Sequence, residues 1–131
     1  MLVKVERLKK IVVNGTFDLL HGGHIDLLNM AKMYGDYLIV AIDTDRRVRI
    51  HKGKDRPINN QTTRRKILEN LKAVDEVVLF DSNDELISII SDCDLRIAIV
   101  GRKACKLLFF DRVNEESTTK TIEDYINRRQ L

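Results

Sequence analysis

Tryptophan is absent from these 131 residues, proline occurs once and cysteine twice. Cys93 and Cys105 have no ligand-like spacing. They read as reduced thiols, and the chain as a cytoplasmic protein. No apolar run approaches the roughly 20 residues that a membrane helix needs. Met1 to Lys10 carries scattered charge and no signal-peptide core. Low-complexity tracts and internal repeats are missing too. A net charge of +3 is too small to imply nucleic acid by itself. Hydrophobic residues make up 44%, which is ample for one core, so a single domain over residues 1–131 is expected.

What is present is unevenly placed. Arg46, Arg47, Arg49, Lys52, Lys54 and Arg56 crowd one short segment, and Arg64, Arg65 and Lys66 follow closely. The plainer reading is a solvated charged loop. Beside a phosphate-type turn, the same segment suits a small polyanionic ligand.

Hydrophobic patterning predicts an alternation of strands and helices. Leu8 to Asn14 reads as a buried strand ended by Asn-Gly, and Gly23 or His24 to Met33 as a helix. Tyr37 to Ile42 is a second strand. Asp43-Thr44-Asp45 ends it and can cap a short helix through Val48, and residues 50–60 read as a polar loop. Asn60 or Thr62 starts a helix to about Leu71. Glu76 to Phe80 is a third strand. Ser82 or Asn83 caps a helix carrying Leu86, Ile87, Ile89 and Ile90. Leu95 to Val100 is a fourth strand, Leu107 to Phe110 a fifth, and Ser117, Thr118 or Thr119 caps a last helix. This order predicts a Rossmann-like three-layer α/β/α fold with a five-stranded parallel sheet. Ligands of such sheets bind beyond the carboxyl ends of the strands. The segments richest in chemistry follow those ends: Gly15–His24, Asp43 onward, Gly101 onward and Asp111–Thr119.

The first of these segments is the most specific. His21 and His24 stand three residues apart where the helix begins, so they share one helix face. Unpaired N–H groups of a first helical turn, together with the helix dipole, favour a phosphate there. Ordinary helix-end histidines are the plain alternative, and a zinc pair lacks a third ligand nearby.

Gly15-Thr16-Phe17-Asp18-Leu19-Leu20-His21-Gly22-Gly23-His24 resembles the signature of the cytidylyltransferase-like nucleotidyltransferases. Glycerol-3-phosphate cytidylyltransferases and heptose-phosphate adenylyltransferases belong to that family. The resemblance implies attack by an acceptor phosphate on the α-phosphorus of a nucleoside triphosphate, with pyrophosphate leaving. It implies that His21 and His24 donate hydrogen bonds to the triphosphate, while Gly15, Thr16, Phe17 and Gly23 frame it. Asp18, Asp43 and Arg64 then face the acceptor. Lys52, in a segment resembling the adenylyltransferases' flexible loop, and Arg112 join the histidines as catalytic residues. Arg112-x-x-x-x-Ser117-Thr118-Thr119 resembles an element of the glycerol-3-phosphate cytidylyltransferases, whose hydroxyls contact the nucleotide. Mg²⁺ is expected to arrive on the triphosphate, without a protein metal site, and a homodimer is the family norm. The segment after Gly101 is shorter than in relatives, and Glu115 and Glu116 depart from their pattern. The reading ranks CTP with glycerol 3-phosphate slightly ahead of a heptose-phosphate adenylyltransferase-like reaction. A nucleotide binder without turnover is the rival, and nucleic-acid binding through the basic segment is a third class.

Overall fold

The computed structural model describes residues 8–100 and 106–111, with side chains from Leu8 to Ile97. Ile11, Val12 and Val13 are β-branched and wholly buried, and they form the middle of β1 (Lys10–Gly15). There follow α1 (Gly22–Lys32), β2 (Tyr37–Asp43), α2 (Asp45–Lys52), α3 (Gln61–Glu69), β3 (Glu76–Phe80), α4 (Asn83–Ser91), β4 (Leu95–Val100) and β5 (Lys106–Asp111).

The strands lie in the order β3-β2-β1-β4-β5. Crossovers between parallel strands are right-handed. The steps β1 to β2 and β2 to β3 run the same way across the sheet, so α1 and α3 cover one face. The return from β3 to β4 puts α4 on the other. Side chains alternate accordingly, as the two-residue period of a strand demands. Ile11, Val13, Leu38 and Val40 pack with Leu27, Leu28 and Leu68 on the first face. Val12, Ile39 and Ala41 pack with Phe80, Leu86, Ile90 and Cys93 on the second. Burial there pushes the Cys93 thiol up to about 11, which keeps it protonated and inert.

The sheet departs from the expectation in one strand. β1 to β4 are parallel, as expected, but β5 runs antiparallel to β4, with Leu95 opposite Asp111 and Val100 opposite Lys106. Only residues 101–105 separate the two strands. A parallel return needs a crossover of about a dozen residues or more, so the short connection dictates a reversal.

Aspartates fasten the amino end of the sheet. Asp36 accepts from the Lys9 N–H at 2.8 Å, Asp94 from Lys10 N–H at 2.9 Å, and Asp75 from Leu38 N–H at 2.7 Å. Each meets a donor at or beside a strand's start that the ladder leaves open. The carboxyl end carries the rest of the polar chemistry. The chain reverses direction across the sheet between β1 and β4, which is where such folds open a crevice.

Candidate active site

At the carboxyl end of β1 the chain makes a strained turn. Phe17 has φ +51°, a left-handed conformation that a bulky residue adopts only when its surroundings impose it. Two contacts impose it here. The Phe17 ring is buried against Gly15, where a Cβ would lie 3.0 Å from Phe17 Cε2. The Thr16 carbonyl accepts a hydrogen bond from Arg64 Nη1 at 3.0 Å.

The turn leads into α1, and histidine caps that helix. His21 is extended, and its Nδ1 accepts from the Gly23 N–H at 3.0 Å. His24 Nδ1 reaches back to accept from the His21 N–H at 3.2 Å. This is a reciprocal capping box in which imidazoles take the places of Ser and Glu. The two rings are tilted by 37° with 3.9 Å between centroids, and the Phe17 ring centroid lies 5.4 Å from that of His24. A neutral imidazole that accepts at Nδ1 carries its proton on Nε2. Both Nε2–H groups therefore point away from the cap. Neither has a protein partner among the described residues. Burial, then electrostatic coupling to the adjacent His21 ring, pulls the His24 pKa below its ordinary value, so His24 stays a neutral donor at neutral pH. Gly23 is needed for this packing: a Cβ there would meet His21 Cε1 at 2.9 Å. Gly22 has open space around it.

The three residues expected to face the acceptor are engaged differently. Arg64 is wholly buried. Its Nε donates to the Asn59 carbonyl, Nη1 to the carbonyls of Thr16 and Asp43, and Nη2 to Asp45 Oδ1, all within 3.0 Å. One of its N–H groups is left over. Asp18 accepts from the Ile58 N–H at 2.8 Å with one oxygen and from the Asn59 N–H at 2.7 Å with the other. Asp43 Oδ2 accepts from Arg47 Nε at 3.1 Å. In this geometry the three brace the site rather than forming its open contacts.

The short helix expected through Val48 runs further than that. α2 runs to Lys52, so Arg46, Arg47, Arg49 and Lys52 are helical. Thr44 caps the helix through the Arg47 N–H, and its cations favour the negative end of the helix dipole. Lys52 is exposed at that end, just before Gly53 at φ +104°. Arg47 turns inward, bonding Asn83 Oδ1 at 2.8 Å and lying 5.0 Å over the Phe80 ring. Arg112, Ser117, Thr118 and Thr119 lie outside the described residues.

Two buried polar residues were not anticipated. Arg96, the second residue of β4, is 1% exposed, and its Nε and Nη2 donate to Asn14 Oδ1 at 3.2 and 2.8 Å. The buried pair ties β1 to β4. A charged residue inside the apolar run Leu95 to Val100 was the available signal.

Comparison with known proteins bears on this arrangement. Residues 12–129 match the cytidylyltransferase-like family. The bifunctional protein HldE of Desulfatibacillum aliphaticivorans is 37% identical over 135 aligned residues, covering 92% of this chain and 28% of that protein. HldE of Nitratiruptor sp. is 41% identical over 130, covering 90% and 28%. This chain thus spans under a third of the curated relatives' length. The crystal structure of a lipopolysaccharide core biosynthesis protein from Thermoplasma volcanium superposes with TM-score 0.64 at 26% identity, covering 91% of this chain and 89% of the other. Among the described residues, no helix is long and apolar enough to cross a membrane.

Proposed function

The chain belongs to the cytidylyltransferase-like family of nucleotidyltransferases, and from that premise we propose that it joins a nucleotide to a small phosphorylated sugar. An oxygen of the acceptor phosphate attacks the α-phosphorus of a nucleoside triphosphate. The new P–O bond forms as the bond to the β-bridging oxygen breaks, and pyrophosphate leaves with that electron pair. The work of the protein is placement and fixed hydrogen-bond donation. The observation that carries the reading is the capping box that occupies both Nδ1 atoms, which leaves each neutral ring its proton on Nε2, turned away from the cap. These N–H groups are rigid donors at the positive end of a helix, so donation costs no reorganisation as charge builds on the phosphate oxygens.

The two HldE relatives favour a heptose-phosphate adenylyltransferase-like reaction with ATP over CTP with glycerol 3-phosphate. Mg²⁺ bound to the triphosphate would offset its charge. A homodimer and a cytoplasmic location belong to the same proposal.

The test is pyrophosphate release over a panel of triphosphates and phosphorylated acceptors. Release with ATP and a heptose phosphate is expected. Release only with CTP and glycerol 3-phosphate would reverse the preference between substrates. Normal nucleotide binding with no release for any pair would favour a binding protein without turnover.

A further inference from the structure

Asp18 stands in the turn between β1 and the histidine cap, yet its bonds run across to the segment before α3. Its two oxygens accept from consecutive amides, Ile58 N–H and Asn59 N–H. Its own carbonyl accepts from Asn59 Nδ2 at 2.9 Å. Arg56 Nη1 lies 3.8 Å from Asp18 Oδ2, with its side chain 49% exposed. The Asn59 carbonyl is held in turn by Arg64, which also holds the Thr16 carbonyl. Every hydrogen-bonding group of Asn59 except its side-chain oxygen is thus tied to the turn or to the arginine that braces it.

We infer that Asp18 is a positioning residue: a latch that holds the basic segment ending at Asn59 against the phosphate turn, so that Arg56 serves the anion bound there. This rests on the proposed nucleotide site. It assigns Asp18 a role different from acceptor contact. Both its oxygens are occupied by main-chain donors, and the side chain is 12% exposed. A carboxylate beside a polyanion is by itself repulsive. The latch explains its presence by what it brings: a guanidinium with half its surface open, next to the histidine turn.

The sign of one measurement separates the two roles. Asp18→Asn removes a negative charge near the phosphates, and simple electrostatics makes triphosphate binding tighter. The latch predicts the reverse, because the amide's N–H₂ opposes a main-chain donor and the segment is released. Calorimetric titration with inorganic triphosphate at neutral pH should show binding at least about fivefold weaker in Asp18→Asn. Arg56→Gln should weaken binding in the wild type but add little in the Asp18→Asn background, the non-additivity expected of coupled residues. Amide exchange on the ligand-free protein gives an independent readout. The Ile58 and Asn59 amides should exchange at least about tenfold faster in Asp18→Asn, while Val12 and Val13 in β1 keep their rates and report an intact fold. Asn59→Ala, which removes only the Nδ2 tie, should speed the same amides by a smaller factor. Tighter binding in Asp18→Asn, additive effects of the two substitutions, or unchanged exchange at Ile58 and Asn59 would each overturn the latch. A wild-type protein with no affinity for triphosphate or nucleotide would instead overturn the site reading on which the latch rests.

Discussion

Two groups of polar side chains meet at the carboxyl end of this sheet, and they are spent in opposite ways. His21 and His24 use one nitrogen each to cap α1 and leave the other facing out. Arg64 and Asp18 turn nearly all their hydrogen-bonding capacity inward, onto carbonyls, amides and Asp45. On the proposed reading, the first group meets the ligand and the second holds the first in place. A charged residue near a phosphate turn need not touch phosphate. Its donors and acceptors have to be counted before a role is assigned.

The sharpest break of this contrast is Arg64→Met. It leaves three carbonyls and a carboxylate without their buried donor, and removing one partner from a buried ion pair costs about 3–5 kcal/mol. Urea unfolding should report a loss of that order. A loss under about 1 kcal/mol would mean that Arg64 is not a brace.

His24→Ala should affect turnover more than stability. Losing a fixed donor to the transition state costs about a hundredfold or more in kcat. Losing the capping acceptor costs only about 1 kcal/mol of stability. Unchanged kcat alongside measurable activity would remove the histidines from the chemistry.

The glycine pair sharpens the same point. Gly23→Ala would push its Cβ against the His21 ring and displace the cap, for a loss of about 1–2 kcal/mol. Gly22→Ala meets open space and should be neutral or stabilising by up to about 1 kcal/mol. Equal melting temperatures for the two variants would contradict the cap geometry.

The smallest expected effect is on pH dependence. The folded His24 pKa lies below the ordinary 6.5, so folding favours the neutral ring. That contribution is complete above about pH 6.5 and is lost as pH falls through the lowered value. Melting temperature should therefore drop in mildly acidic buffer. His24→Gln keeps a side-chain acceptor without a titrating ring, and should flatten the drop.

How far the sequence could be read depended on what each signal measures. The parallel strands were legible because Ile11-Val12-Val13 and Tyr37 to Ile42 are continuous apolar runs, which only a covered strand tolerates. The turn at Gly15 was legible from glycine, and the helix was legible from its spacing, although it starts at Gly22, a residue or two before the expected Gly23 or His24. The reversal of β5 was not, although five intervening residues were too few for any crossover. The short helix after Asp43 was legible from its cap, but its end falls at Lys52 rather than Val48, because the polar residues from Ile50 onward read as loop. Arg64, Asp18 and Asp43 lie at the carboxyl end of the sheet, and their inward bonds were not legible, because residue type carries no information on burial. Arg96 and Asn14 escaped notice because a strand reading discounts one charge in an apolar run.

The central claim is that both histidines accept at Nδ1 and offer Nε2–H to phosphate. Two-bond proton–nitrogen correlation spectra of the histidine rings, recorded at pH 7.5 or so with and without nucleoside triphosphate, address it directly. Neutral His21 and His24 rings protonated on Nε2 are expected, with those nitrogens shifting when triphosphate binds. Rings protonated on Nδ1, or Nε2 signals that stay still while the nucleotide saturates the protein, would contradict it.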